Sequence, residues 1–375
     1  MIYLDNAGTT RATEDIAETY KYYLTEEFHN PSAPYHQALE LSKGITAAKE
    51  KILRLLKGNG GIVFTSSGTE SDNLALFGTK KPNDCRIIVS NSEHPAVFNA
   101  AMELKQRGYD VIFTEVDNYG RVNIDAFEKN MTKDTYLVSI MHVNNETGAI
   151  NDIKQLCEIA KQINPKVIFH SDGVQAAGKI KVSLSDLDVD LYSFSGHKIH
   201  APKGVGGLFV KSGINLKPLL FGGGQENNIR SSTENVAGIM CLAKALETAV
   251  NNIEENYKNT ASLRDIVLDK IDNDKIIAIN NNECSPYILC LALKNIKGEV
   301  MLHSLEKHGI LIGTGSACSS KKSHKRLPSI LKLSKEYSEG IIRVSFSRYN
   351  TKDDIEYFIN KLNLEYSQLI KYVRG

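Results

Sequence analysis

Lys198 sits in Ser195-Gly196-His197-Lys198, directly after the apolar-rich run Leu191-Tyr192-Ser193-Phe194. Asp172 stands upstream in His170-Ser171-Asp172-Gly173-Val174-Gln175. Cys318 lies downstream in the small-residue stretch Gly313-Thr314-Gly315-Ser316-Ala317-Cys318-Ser319-Ser320. A lysine and an aspartate at strand ends suit chemistry on pyridoxal phosphate (PLP). The amine condenses with the aldehyde, and the carboxylate keeps the pyridine nitrogen protonated so that the ring takes up electrons. A loop thiol adds a nucleophile that most reactions on that cofactor do not need. The basic run that follows it, Lys321-Lys322-Ser323-His324-Lys325-Arg326, favours the thiolate weakly and is better suited to steering an acidic partner.

Four other groups bear on this chemistry. Thr65-Ser66-Ser67-Gly68-Thr69-Glu70-Ser71 links a strand to a helix, with Ser67 and Glu70 at capping-box spacing. Helix-start N–H groups and the Thr69 hydroxyl make an anion cradle there, with Gly68 allowing close approach. Glu93-His94-Pro95 opens a helix, where an imidazole either stacks on a flat ring or simply starts the helix at the surface. Met141-His142-Val143-Asn144-Asn145-Glu146-Thr147-Gly148 offers side-chain amides for a ring hydroxyl or for a turn. Arg343 is isolated on the apolar strand Ile341-Ile342-Arg343-Val344-Ser345 and needs an anion, either a substrate carboxylate or a structural Asp or Glu. No His or Cys pair has C-x-x-C or H-E-x-x-H spacing, so no metal site is expected.

The elements that must position these residues alternate along the chain. Strands are expected at 61–65, 86–90, 111–113, 135–140, 167–170 and 207–210, with amphipathic helices such as 96–106 and 153–163 between them. That alternation predicts an α/β fold with a largely parallel sheet covered on both faces, and ligands beyond the carboxyl ends of its strands. A single long helix is expected from Asn235 toward Lys270 as a bridge. Short strands at 287–293 and 341–346, with helices at 299–307 and 353–373, predict a smaller α+β domain. The expected division is a large domain over 13–254 and a small one over 255–375, joined by residues 1–12. With 375 residues, 42% of them hydrophobic, and a net charge of +1, the chain has ample core and no global field for nucleic acid. The six cysteines are too scattered for a disulfide framework, which points to reduced thiols in a cytoplasmic protein. No stretch reads as a membrane span or signal peptide.

These motifs, in this order, make the chain resemble the cysteine desulfurases of the class V aminotransferase fold, the nitrogen-fixation and iron–sulfur-cluster housekeeping group. The likeness includes Tyr3-Leu4-Asp5-Asn6-Ala7-Gly8-Thr9-Thr10, Asn30-Pro31-Ser32, Gly68-Thr69-Glu70-Ser71-Asp72-Asn73, Glu93-His94, Ser193-Phe194-Ser195-Gly196-His197-Lys198, Arg230-Ser231-Ser232-Thr233 and Gly315-Ser316-Ala317-Cys318. The resemblance implies a PLP-dependent transferase of fold type I. It implies that Lys198 joins the cofactor aldehyde and that Asp172 pairs with the pyridine nitrogen. Gln175 and Asn145 would lie near the ring hydroxyl, with His94 on one ring face and Val174 on the other. Gly68, Thr69, Ser195 and His197 would hold the phosphate, reached also by Thr233 from the second subunit of a homodimer. Arg343 would take the substrate carboxylate, with Asn30 nearby. The implied activity converts L-cysteine to L-alanine and leaves sulfur as a persulfide on Cys318. A protein acceptor would then receive it for iron–sulfur clusters, thio-cofactors or tRNA thiolation. A selenocysteine lyase or an aminotransferase on the same fold is the alternative. The usual family motif is Arg-Ser-Gly-Thr, where this chain has Ser232.

Overall fold

Successive residues of the central strands point into two separate cores. The computed structural model describes residues 1–82, 84–279, 283–314 and 326–373. Cys318 and the basic run from Lys321 to Lys325 lie outside the described residues, and of Arg326 only the backbone, at the start of helix Arg326–Ile330, is described. Strand β1 (Ile2–Leu4) opens the chain. It is followed by β2 (Gly60–Thr65), β3 (Arg86–Ser90), β4 (Asp110–Thr114), β5 (Thr135–Ser139), β6 (Ile168–Asp172), β7 (Leu191–Ser195) and β8 (Gly206–Lys211). Strands β2 to β8 form one seven-stranded sheet in the order β2-β8-β7-β6-β5-β3-β4.

Ile62, Phe64, Ile88 and Val138 pack with helices His36–Leu55, Ile153–Ile163 and Val236–Asn251. Their neighbours Val63, Ile87, Val89 and Leu137 pack on the other face with helices Gly68–Gly78 and Pro95–Gln106. The continuous apolar runs of the sequence are therefore two-sided burial, as a sheet covered on both faces requires.

One strand departs from the parallel expectation. β8 is antiparallel to both β7 and β2. Only residues 196–205 separate β7 from β8, too few for the dozen or more that a parallel crossover needs. The long helix expected from Asn235 also divides, into Val236–Asn251 and Ile253–Lys270. Asn252, at φ −110° and ψ 19°, leaves the helical well and interrupts the hydrogen-bond ladder.

The rest of the chain adds β9 (Ile276–Ala278), β10 (Ile288–Leu293), β11 (Ile310–Thr314) and β12 (Ile341–Ser345). With β1 they form a second sheet, ordered β1-β11-β12-β10-β9. Its core joins Leu4, Leu289, Leu291 and Ile342 to Val267, Met301, Phe358 and Leu362 from the covering helices. Leaving β1, the chain crosses to the larger sheet, where Gln175 Nε2 donates to the Ala7 carbonyl at 2.9 Å. That crossing brings Arg343 of β12 and Lys198 of the β7 end to the same place.

Candidate active site

Strands β2, β3, β5, β6 and β7 run the same way, so their carboxyl ends share one edge. The segments leaving those ends carry Ser67, Gly68, Thr69, His94, Asn145, Asp172, Val174, Gln175, Ser195, His197 and Lys198. All of them line one cavity of about 250 Å³, which Arg343 and Thr314 close from the smaller sheet.

Lys198 ends the 3₁₀ turn Gly196–Lys198 that follows β7. Its Nζ donates to the carbonyls of Ala7 and Gly8 at 2.6 and 2.7 Å. Asp172 ends β6 and is buried. Its Oδ1 accepts from the Val174 amide at 2.9 Å, and burial pushes its carboxyl up to about 6. Behind it lies a second carboxyl, Asp72, which burial and the Asp172 charge hold well above the usual range. Asp72 Oδ1 is 3.6 Å from His170 Nε2, and burial pushes His170 down to about 3, so that imidazole is neutral near pH 7.

Helix Gly68–Gly78 also lines the cavity, through Gly68, Thr69 and Asp72. The Glu70 amide donates to Ser67 Oγ at 3.1 Å, the first half of the expected capping box. The second half falls one residue early, because the Glu70 carboxylate accepts from the Ser66 amide at 2.7 Å rather than from Ser67. The same carboxylate holds Arg230 at 2.8 Å. A Cβ on Gly68 would lie 2.7 Å from Val174 Cγ2, and one on Gly206 would lie 2.7 Å from the Ser67 backbone. Both glycines therefore permit close packing of the turn that carries the first amides of the helix, donors with no acceptor inside it. The Ser195 hydroxyl is buried here with no hydrogen-bond partner among the described residues. His197 Nδ1 lies 3.1 Å from Thr9 Oγ1. Burial, with Lys198 beside it, pushes His197 down to about 4, so it is a neutral donor or acceptor rather than a cation.

His94 caps helix Pro95–Gln106, its Nδ1 accepting from the Ala96 amide at 3.1 Å. That bond places the proton of a neutral ring on Nε2. The helix-start role and the cavity role thus belong to the same imidazole. The paired asparagines divide their two roles. Asn144 Oδ1 accepts from the amides of Glu146 and Thr147, both at 2.9 Å, and makes the turn, while Asn145 lines the cavity. Arg343 Nη2 donates to Asp5 Oδ1 at 2.7 Å and Nη1 to the Asn145 carbonyl at 2.9 Å. Its structural partner is therefore Asp5. Its Nε is buried with no acceptor among the described residues, which leaves a donor for a bound anion.

Two sequence candidates are not brought together with these. Asn30 is exposed, its Oδ1 accepting from the Ser32 amide at 3.0 Å, and Thr233 is exposed on the segment after Arg230. Ala7, Gly8, Asp72, Met141 and Thr314 also line the cavity and were given no role from the sequence. Ala7, Gly8 and Asp72 fall inside recognised motifs, which was the available signal. Thr314 depends on how β11 packs, which no local pattern announces.

The donor set fits PLP on the structure itself. An orphaned hydroxyl and helix-start amides suit a phosphate, a buried carboxyl suits a pyridinium, and a lysine amine shares their cavity. No described helix is long and apolar enough to cross a membrane.

The aminotransferase class-V family model matches residues 2–358. A cysteine desulfurase IscS of Dictyoglomus turgidum is 37% identical over 369 residues, covering 96% of this chain and 93% of that protein. A cysteine desulfurase of a Nostoc species is 39% identical over 367 residues, covering 95% and 90%. A solved NifS-like protein superposes with a TM-score of 0.91 at 33% identity, covering 98% of this chain and 99% of that one. With the site at the carboxyl ends of the parallel strands and the likeness running nearly end to end, the chain belongs to the class V aminotransferase family.

Proposed function

We propose the following reading of the site. The chain is a PLP-dependent cysteine desulfurase that converts L-cysteine to L-alanine. The observation that carries it is the single cavity joining Lys198, Asp172, His94 and Arg343, in a family whose desulfurase members it matches along its length. When bound, PLP supplies an aldehyde that takes up an amine and a ring that accepts electrons from the adjoining carbon. Lys198 supplies the resting amine, and once displaced by substrate it takes the Cα proton. Asp172 provides the negative charge opposite the pyridine nitrogen. His94 covers one ring face and Val174 the other, and His94 is placed to help move a proton. Gly68, Thr69, Ser195 and His197 hold the phosphate, and Asn145 and Gln175 face the ring oxygen. Arg343 binds the substrate carboxylate. The Cys318 thiolate forms an S–S bond to the substrate sulfur. The C–S bond breaks, its electron pair passes toward carbon, and a proton completes alanine.

The finer reading is a homodimer in which Thr233, exposed on one chain, completes the partner's phosphate site, with Asn30 completing the carboxylate site. The chain divides into units 13–254 and 255–375, with 1–12 attached to the second. A protein acceptor takes the sulfur for clusters or thiolation, and the charges from Lys321 to Arg326 favour an acidic one. With PLP, L-cysteine and a small-thiol reductant, the protein should release alanine and sulfide in equal amounts. 3-Mercaptopyruvate without sulfide would favour the aminotransferase alternative.

Two expectations arise directly from this site. Arg343→Lys should raise KM for cysteine about 10- to 100-fold with a smaller change in kcat. That is the range of a charge-assisted hydrogen bond of roughly 1.5–3 kcal/mol. Lysine can still face Asp5, so steady-state kinetics on a folded protein read the loss of the fork alone. An unchanged KM would remove Arg343 from substrate binding.

The second concerns pH. Burial raises Asp172 to about 6, so its carboxylate is lost as pH falls through that value, and with it the charge opposite the pyridinium. PLP affinity should then weaken below about pH 6, by up to about tenfold per unit. Asp172→Asn should lack this limb while keeping the phosphate's own titration. Equilibrium titration of both apoproteins with PLP across pH decides it. Identical profiles would mean that Asp172 does not carry the charge.

A further inference from the structure

Lys179 is a buried lysine that the chemistry above does not use. Its Nζ donates to Gln175 Oε1 at 2.7 Å. The other end of the same amide, Gln175 Nε2, donates to the Ala7 carbonyl at 2.9 Å, the carbonyl that also accepts from Lys198. An ammonium only donates and a backbone carbonyl only accepts, so these two contacts fix which end of the Gln175 amide is nitrogen. No carboxylate pairs with Lys179 among the described residues, and the Tyr287 ring lies 5.9 Å from its Nζ. A cavity of about 30 Å³ touches Lys179, Lys198 and Tyr287, which leaves no room there for a ligand of its own. Burying a lysine without an anion is unfavourable, and a hydrophobic side chain of similar length would fill the space. What the ammonium does that such a side chain would not is grip the amide.

We propose that Lys179 is a positioning residue: it locks Gln175 so that an N–H edge, not the amide oxygen, is offered to the ring oxygen of PLP. This rests on the cofactor reading of the site and not on cysteine as substrate. The groups that act on Lys179 are Lys198 and Arg343, and together with burial they push it down to about 7. It acts in turn on His197 and His200.

The test uses the holoenzyme without substrate and reads the pH at which the visible band of the bound cofactor converts. Lys179→Met should raise that midpoint by about one pH unit or more, because the ring oxygen loses a donor and a nearby cation. Lys179→Arg, which restores donor and charge, should return it toward the starting value. Gln175→Met, with Lys179 in place, should produce a shift of its own, and the double variant should add little to it because both act on one contact. An unmoved midpoint in Lys179→Met, or fully additive shifts, would overturn the proposal. If Lys179→Met does not fold, an unmoved midpoint in Gln175→Met overturns it from the other end. Absence of a visible band in the unaltered protein would instead defeat the cofactor reading.

Discussion

Lys198→Ala is expected to lower turnover of L-cysteine by about 10³-fold or more, since it removes both the amine that joins the cofactor and the base for the Cα proton. PLP should still copurify in part, held by the Gly68–Thr69 turn, the Ser195 hydroxyl and Asp172, none of which the substitution touches. Borohydride treatment of the unaltered holoenzyme should fix the cofactor on Lys198 and nowhere else, as peptide mapping would show. Lys179 makes this a demanding check. It is a buried amine bordering the same small cavity as Lys198, and burial lowers its pKa to about 7. A label on Lys179 would defeat the assignment. The geometry favours Lys198, which lines the large cavity with Asp172, whereas Lys179 lines only the small one.

Cys318→Ser carries the second large effect. The variant should still react with cysteine at the cofactor, because that step needs Lys198 and Asp172, and the visible band should change on mixing. Sulfide release should fall by about 10³-fold or more, because a hydroxyl near neutral pH has almost no nucleophilic anion where a thiol has a few per cent. Rapid mixing followed by sulfide assay separates the two steps. Release at the unaltered rate would mean that sulfur leaves without a thiol acceptor, and the alternative PLP reactions would then account better for the site.

Lys198 and Asp172 were legible in the sequence because a charged residue at or just past the end of an apolar-rich strand has few structural uses. The Ser67 cap was legible for a similar reason, although its reciprocal bond moved to Ser66 because Glu70 also holds Arg230. Arg343 was recognised as needing an anion, but Asp5 could not be picked out, since 338 residues separate them and only the β1–β11–β12 arrangement brings them together. Asn144 and Asn145 are adjacent and chemically identical, so only backbone direction decides which one makes the turn. The break at Asn252 and the reversal of β8 were missed because apolar periodicity runs through both and does not report strand direction. Lys179 was given no role from the sequence. Its burial follows from the N-terminal segment and Tyr287 closing over it, which are contacts at long range.

Sulfur should pass from cysteine to Cys318 as alanine forms. A single turnover with sulfur-labelled L-cysteine, quenched without reductant and mapped by mass spectrometry, tests it directly. The predicted result is one persulfide on Cys318 for each alanine produced, removable by a thiol. Alanine without label on Cys318, label on one of the buried cysteines, or a keto acid in place of alanine would contradict the account.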